Sequence, residues 1–147
     1  MSHSPDLSIQ MLSRTSLLAP VRCMLVSFAE RIGFDETASG HIALAVDEAL
    51  ANVIRHGYSG RDDCRVWLHF WELHEPAGLR IVVEDYARQV DPELIRGRDL
   101  SDIRPGGLGV HLIRSTMDSV RFEKRREGGM RLTLEKLLGA APVQSAA

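Results

Sequence analysis

Residues 45–58, with the sequence Ala-Val-Asp-Glu-Ala-Leu-Ala-Asn-Val-Ile-Arg-His-Gly-Tyr, constrain the fold of this chain more than any other segment. Between positions 42 and 53, apolar residues recur at helical spacing and predict an amphipathic helix with one narrow apolar face. They are Ile42, Val46, Ala49 and Val53. Glu48, Asn52 and His56 recur every four residues and form a polar stripe about 80° around the helix from the apolar one.

This polar stripe admits two interpretations. A carboxylate and a carboxamide one turn apart, at the edge of a buried face, can hold a hydrated divalent cation together with a water or hydroxyl. The same pattern also suits a solvated polar edge that has no chemical role. The helix alone does not decide between these two interpretations.

A second motif follows at residues 79–85, a short β-branched run that ends in an acid. In a strand, Ile81, Val83 and Asp85 point to the same side of the sheet. Asp85 therefore lies at the end of an apolar face, where a ligand can bind. The alternative is an aspartate that only caps a turn or helix.

A third motif is the turn Pro-Gly-Gly-Leu-Gly at residues 105–109, which opens the periodic segment 110–117. A glycine-rich turn at a helix start presents unpaired backbone N–H groups and the positive end of the helix dipole, which together favour an anion such as phosphate. Hairpins and helix caps use similar glycines. The position of this turn after the Glu/Asn helix and the strand-end Asp makes it informative.

Taken in order, the three motifs resemble the Bergerat ATP-binding fold, which is shared by gyrase, the histidine kinases and the bacterial anti-sigma-factor serine kinases. Residues 48–58 are most similar to the anti-sigma-factor serine/threonine kinases, whose motif runs Glu-x-x-x-Asn-x-x-x-His-Gly-Tyr. The segments Gly-Leu-Gly-Val-His-Leu-Ile at 107–113 and Met-Asp-Ser-Val at 117–120 also resemble that family. The resemblance covers roughly residues 6–137.

The resemblance implies a role for each residue of the motifs. Asn52 would hold Mg²⁺, which bridges the nucleotide phosphates, and Glu48 would accept the proton of the attacking hydroxyl. Asp85 would accept a hydrogen bond from the adenine amino group. The alternative for Glu48 is a surface acid that pairs with Arg55 or Arg14.

The resemblance also implies that backbone amides of the glycine turn bind the phosphates of ATP. These amides belong to Gly107, Leu108, Gly109 and Val110. Residues 86–106 would form a lid over the nucleotide. His111 would reach a phosphate or lie in solvent, and His56 would contact the edge of the pocket or cap the helix, with the cap slightly preferred.

The chain departs from the family pattern near the predicted adenine site. Ala87 replaces the glycine that lets the backbone approach adenine, which costs about 1 kcal/mol if its φ is positive. Met130 stands where the family has threonine after Gly129. Arg104 is the basic residue nearest the glycine turn, where one is expected to face the γ-phosphate, but Pro105 intervenes.

The remaining pattern predicts an α+β two-layer sandwich, with a mixed, mostly antiparallel sheet and helices on one face. Predicted strands cover residues 7–12, 65–73, 79–85, 120–126 and 130–137. Predicted helices cover residues 19–32, 36–56 and 110–117, the second of them capped by Asp35. Residues 1–138 form one ATP-binding domain, and residues 139–147 are expected to be a disordered tail.

Composition excludes several classes of protein. The chain has 147 residues, a net charge of −2 and 44% apolar residues, as expected for one globular domain without general attraction to nucleic acid or anionic membrane. Its apolar runs are shorter than the roughly 20 residues that span a bilayer, and its first residues do not resemble a signal peptide. Cys23 and Cys64 form no C-x-x-C pattern, which argues against a disulfide framework or zinc site and favours the cytoplasm.

The resemblance implies an ATP-dependent anti-sigma factor and protein serine kinase that phosphorylates an anti-anti-sigma partner and regulates a sigma factor. A non-catalytic ATP- or ADP-binding module is the alternative, and the presence of Glu48 favours the kinase. A detached histidine-kinase domain is disfavoured because residues 1–34 are too short for a dimerisation helix that carries a phospho-acceptor histidine. The face of residues 19–32 would serve a homodimer or sigma-factor interface, or would simply belong to the core.

Overall fold

The computed structural model describes residues 3–95 and 108–139, which form five strands and three α-helices. The strands are β1 (Leu7–Leu12), β2 (Arg65–His74), β3 (Ala77–Asp85), β4 (Ser119–Lys124) and β5 (Met130–Leu137). The helices are α1 (Leu18–Ile32), α2 (Glu36–Asn52) and α3 (Leu108–Thr116), with short 3₁₀ turns at Thr15–Leu17 and Pro92–Leu94. Within these residues, no helix combines the length and the hydrophobicity needed to cross a bilayer.

The sheet has the strand order β1-β2-β3-β5-β4, and each of its pairings is antiparallel. The α+β sandwich is confirmed, but the expectation of a mixed sheet is wrong. A connection through a helix, such as β3 to α3 to β4, permits a parallel pair of strands. Here β5 lies between β3 and β4, so those two strands never meet.

The core lies on one face of the sheet, beneath a layer made of α1, α2 and α3. Alternate residues of each central strand point toward this layer, as the two-residue period of a strand requires. The fully buried side chains of the sheet include Leu68, Phe70, Ile81 and Leu134. The alternate positions, which include Trp67 and Arg80, lie on the opposite face of the sheet.

Helix α1 contributes its apolar face to the core. Val21 and Leu25 are buried, and the ring of Phe28 lies 5.9 Å from that of Phe70. Ile32, partly buried, packs against the same cluster. These side chains therefore belong to the core, as one of the two interpretations of residues 19–32 predicted. An interface on this helix would have to use other side chains.

Helix α2 begins as predicted, because the Asp35 carboxylate accepts a hydrogen bond of 2.7 Å from the Ala38 amide. Its end differs from the prediction. The α-helix stops at Asn52 and continues as a π-helical turn over Val53–Gly57. This wider turn contains His56, which the spacing had placed in the α-helix. Such turns occur often at functional sites.

Candidate functional site

A cavity of about 240 Å³ opens between the end of α2, the ends of β3 and β5, and α3. Most of its wall is apolar. The apolar lining includes Ala49, Val53, Val83, Ile95, Val110, Ile113, Phe122, Met130 and Leu132. Asn52, His56, Asp85 and Arg88 supply polar groups. Apolar walls with a few polar anchors are typical of a small-molecule site.

Asp85 is the last residue of β3, and its side chain caps the turn that follows this strand. The residue is only 5% exposed. Its Oδ1 atom accepts hydrogen bonds from the amides of Ala87 at 2.8 Å and Met130 at 3.1 Å. Its Oδ2 atom has no hydrogen-bond partner among the described residues. One oxygen therefore closes the turn, and the other remains available to a ligand in the cavity.

Burial dominates the electrostatics of this carboxyl. It raises the pKa of Asp85, because a charge is poorly solvated in an apolar wall. The amides of Ala87 and Met130 and the positive charge of Arg125 oppose that shift. An ionised carboxylate held in this place is a strong acceptor for a ligand N–H group.

Ala87 fits its position without backbone strain. Among the described residues, Ser59 is the one non-glycine residue with positive φ, so the predicted penalty at Ala87 does not arise. The space for its methyl group comes from Gly57, where an added Cβ atom would lie 2.9 Å from the Ala87 Cβ atom. The methyl group of Ala87 thus packs where a larger residue at position 57 would collide.

Glu48 faces the start of α3. A Cβ atom added at Gly109 would lie 2.7 Å from Glu48 Oε2, so the carboxylate lies against the first turn of that helix. Within the described part of the chain, no ion pair joins Glu48 to Arg14 or Arg55, and the surface-acid alternative is not realised. Asn52, one turn further along α2, lines the cavity.

Other predicted residues have varied outcomes. Gly107 and Arg104 lie outside the described residues, as do most of the expected lid and the tail beyond position 139. Leu108 is the first residue of α3, and Val110 lines the cavity. His56 lines the cavity, and no hydrogen bond of its side chain to the end of the helix occurs among the described residues. The Nε2 atom of His111 is buried and has no hydrogen-bond partner among the described residues, so this nitrogen does not lie in solvent.

Two groups near Asp85 were missed by the sequence reasoning. The guanidinium of Arg125 donates a hydrogen bond of 2.6 Å to the carbonyl oxygen of Asp85. The hydroxyl of Tyr58 accepts one of 2.8 Å from the amide of Tyr86. Tyr58 ends the His-Gly-Tyr motif, which could have indicated it. Arg125 lies 40 residues beyond Asp85 in a hairpin, and no local pattern marks it.

The donor set suits a weakly held hard cation better than a preformed metal cage. In residues 3–95 and 108–139, no three His, Cys, Asp or Glu side chains cluster as metal ligands. Mg²⁺ is commonly bound by one or two protein oxygens together with phosphates and waters. The carboxamide oxygen of Asn52 fits that pattern.

Comparison with known proteins agrees with this geometry. Residues 11–136 match the family model described as the histidine kinase-like ATPase domain. The chain belongs to this family. It is 26% identical over 145 residues to the serine-protein kinase RsbW of Halalkalibacterium halodurans, and the alignment covers 92% of this chain and 86% of that protein. It is also 26% identical to RsbW of Listeria monocytogenes, over 79% of this chain and 78% of the relative.

Solved structures show the same fold. The RsbU and RsbW domains of a Mycobacterium tuberculosis protein superpose with a TM-score of 0.66 at 20% identity, over 93% of this chain and 33% of that one. The SiaB–SiaC complex of Pseudomonas aeruginosa gives a TM-score of 0.64 at 11% identity, over 91% of both chains. At these identities, the structures support the fold alone.

The contact between Gly57 and Ala87 makes a first prediction. We expect Gly57→Ala to lower the free energy of unfolding by about 1–3 kcal/mol, because the two methyl groups overlap. Ala87→Gly in the same chain should restore most of that loss by removing one of them. Urea denaturation of the two single variants and the double variant measures the coupling. Additive effects of the two substitutions would contradict the contact.

The buried carboxyl of Asp85 makes a second prediction. Because its pKa is raised in the folded state, ionisation opposes folding, and the unfolding free energy falls as pH rises through that raised value. Asp85→Asn keeps an oxygen for the two amides but carries no charge. We expect the variant to be more stable than the wild type at pH 7, with the difference shrinking toward pH 4. Thermal unfolding across that range tests this, and a less stable variant at pH 7 would refute it.

Proposed function

We propose that this chain is an ATP-dependent protein serine kinase that also acts as an anti-sigma factor. The observation that carries the proposal is the arrangement around one cavity, where Asp85 offers a free oxygen and Asn52 shares a helix with Glu48, which faces the start of α3. The RsbW relatives, which are named serine-protein kinases, support the same conclusion.

The apolar cavity would hold the adenine ring. Asp85 Oδ2 accepts a hydrogen bond from the adenine amino group, while Val53, Ile113 and Met130 pack against the ring. Met130 supplies apolar contact in place of the family threonine, and its backbone amide binds Oδ1. Guanine carries a carbonyl oxygen where adenine carries the amino group, so it would face the carboxylate unfavourably.

The phosphates would extend toward the start of α3. The amides of the glycine turn, at Gly107, Leu108, Gly109 and Val110, bind them at the positive end of the helix dipole, and His111 contributes from the same turn. Asn52 holds Mg²⁺, which neutralises phosphate charge when bound. A side chain at Gly109 would displace the Glu48 carboxylate, which occupies the space beside it.

Glu48 would act as the general base. A serine oxygen of the partner attacks the γ-phosphorus, the bond to the β,γ-bridging oxygen breaks, and ADP leaves while Glu48 takes the serine proton. Among the described residues, no cationic side chain forms an ion pair with this carboxylate that would compete with proton transfer. A group that only binds nucleotide needs no base at this position.

The proposed partners are those that the resemblance to the anti-sigma-factor kinases implies. The substrate is an anti-anti-sigma protein with a phosphorylatable serine, and the sequestered partner is a sigma factor, with a homodimer as the proposed assembly. Such partners place its action in the cytoplasm. The second candidate function is a non-catalytic ATP- or ADP-binding module, which would use the same cavity and Asp85 but would not need Glu48 as a base.

The nucleotide assignment makes a third prediction. We expect the protein to bind ATP and ADP in the presence of Mg²⁺ and to discriminate against GTP. Asp85→Asn should weaken ATP binding by about 1–3 kcal/mol, the range for a hydrogen bond to a charged group. Asn52→Ala should remove the dependence on Mg²⁺. Calorimetry measures all of these, and equal affinity for GTP would contradict the assignment of Asp85.

The proposed role of Glu48 makes a fourth prediction. Glu48→Gln keeps the size of the side chain but cannot accept a proton, so we expect ATP binding within a few-fold of wild type and a loss of transfer of about 10²–10⁴-fold. Intact mass measurement after incubation with Mg-ATP and the anti-anti-sigma-type protein encoded nearby detects phosphoserine. Glu30→Gln, on the exposed side of α1, is the matched control.

Two outcomes would contradict these assignments, the first that of a kinase and the second that of Glu48 as its base. In one, the wild-type protein saturated with Mg-ATP leaves its partner unmodified, and the binding module takes its place. In the other, Glu48→Gln transfers phosphate at the wild-type rate, which would remove Glu48 from the chemistry.

A further inference from the structure

The peptide group that links Asp85 to Tyr86 is held at both of its polar atoms by side chains. Its carbonyl oxygen accepts the hydrogen bond from Arg125, and its N–H donates to the hydroxyl of Tyr58. That hydroxyl in turn donates to the carbonyl of Arg65 at 2.6 Å, which fixes its orientation. Few degrees of freedom remain for the backbone that carries the Asp85 side chain.

The turn between β4 and β5 packs against the same peptide. Gly129 has a φ of +74°, and a Cβ atom there would collide with the carbonyl oxygen of Asp85. Gln89 ties this turn to the segment after β3, since its amide donates to the carbonyls of Arg125 and Gly129 at 2.8 and 3.1 Å. The turn therefore cannot move without moving Asp85.

Arg125 is itself immobilised on the face of the sheet away from the helices. Its side chain is 9% exposed, and its Nε atom lies 3.1 Å from an oxygen of Glu84. Its guanidinium lies 4.6 Å from the centre of the Tyr86 ring and 6.0 Å from that of Trp67. A cation enclosed by a carboxylate and two aromatic rings has one preferred position.

We propose that Arg125 and Tyr58 are positioning residues for base selection, and that they hold the Asp85–Tyr86 peptide so that Asp85 Oδ2 meets the amino group of a bound adenine. The inference rests on the proposed nucleotide site and deepens it. Neither residue touches the base. They act through the backbone of the strand end on the position of Asp85 Oδ2. That position decides whether a base with an amino group binds better than one with a carbonyl group.

The consequence is specific to the base. A hydrogen bond weakens steeply when its distance or angle is wrong, whereas apolar contact with the ring tolerates small shifts. Loosening the peptide should therefore weaken ligands that donate to Asp85 and spare ligands that do not. Inosine diphosphate keeps the phosphates and the fused purine ring, but it carries a carbonyl oxygen at C6 in place of the amino group and an N–H at N1. Its C6 group therefore cannot donate to Asp85, and it reports the difference.

The test compares dissociation constants of Mg-ADP and Mg-IDP by calorimetry. In Arg125→Gln and in Tyr58→Phe, we expect the preference for ADP to fall at least about fivefold, with IDP affinity within about twofold of wild type. Arg125→Lys, which keeps one donor and the charge, should recover part of the preference. Arg121→Gln is the matched control, since this exposed arginine on β4 contacts Glu123 and not Asp85.

Each outcome decides the matter. Equal weakening of ADP and IDP, or an unchanged preference in both variants, would overturn the positioning role. If Arg125→Gln does not fold, as thermal unfolding would show, Tyr58→Phe and Arg125→Lys carry the comparison. A wild-type protein that binds neither nucleotide overturns the proposed nucleotide site itself. One that binds both equally overturns base selection by Asp85, and in either case the variants are not needed to reject the inference.

Discussion

One buried carboxylate organises this end of the molecule. Asp85 places a negative charge at the boundary between the core and the cavity, where water solvates it poorly. Such a charge persists in a fold only when the protein supplies hydrogen bonds in place of water. The amides of Ala87 and Met130 do so, and they come from segments on either side of the strand end. The path of the chain after β3 and the placement of the β4–β5 turn both follow from that requirement.

In the proposed site, this arrangement would exchange stability for recognition of a ligand. A fully satisfied carboxylate would have no capacity left for a ligand, and an unsatisfied one would weaken the fold. Here one oxygen of Asp85 is committed to the backbone and the other faces the cavity. The nearby Arg125 adds a favourable charge without reaching the carboxylate oxygens, because its hydrogen bond goes to the carbonyl instead. The ligand oxygen is therefore kept free while its backbone is kept fixed.

Short-range patterns predicted the parts of the site that depend on a single segment. Glu48 and Asn52 are recognisable from their spacing on one helix, and Asp85 from its place at the end of a β-branched run. The helix cap at Asp35 was predictable for the same reason, since capping involves residues within one turn. Features that depend on distant segments were not. The insertion of β5, the π turn after Asn52 and the contact from Arg125 all arise from tertiary packing that local spacing does not encode.

The insertion of β5 between β3 and β4 also orders events during synthesis. The strand that supplies the amide of Met130 and the turn that carries Arg125 lie at the C-terminal end of the sheet, yet they complete the surroundings of a residue near the middle of the chain. A nascent chain that has emerged only as far as α3 has the helix motif and Asp85 but lacks the groups that fix that carboxylate. The surroundings of the proposed nucleotide site are thus complete only after the last hairpin of the sheet has been synthesised.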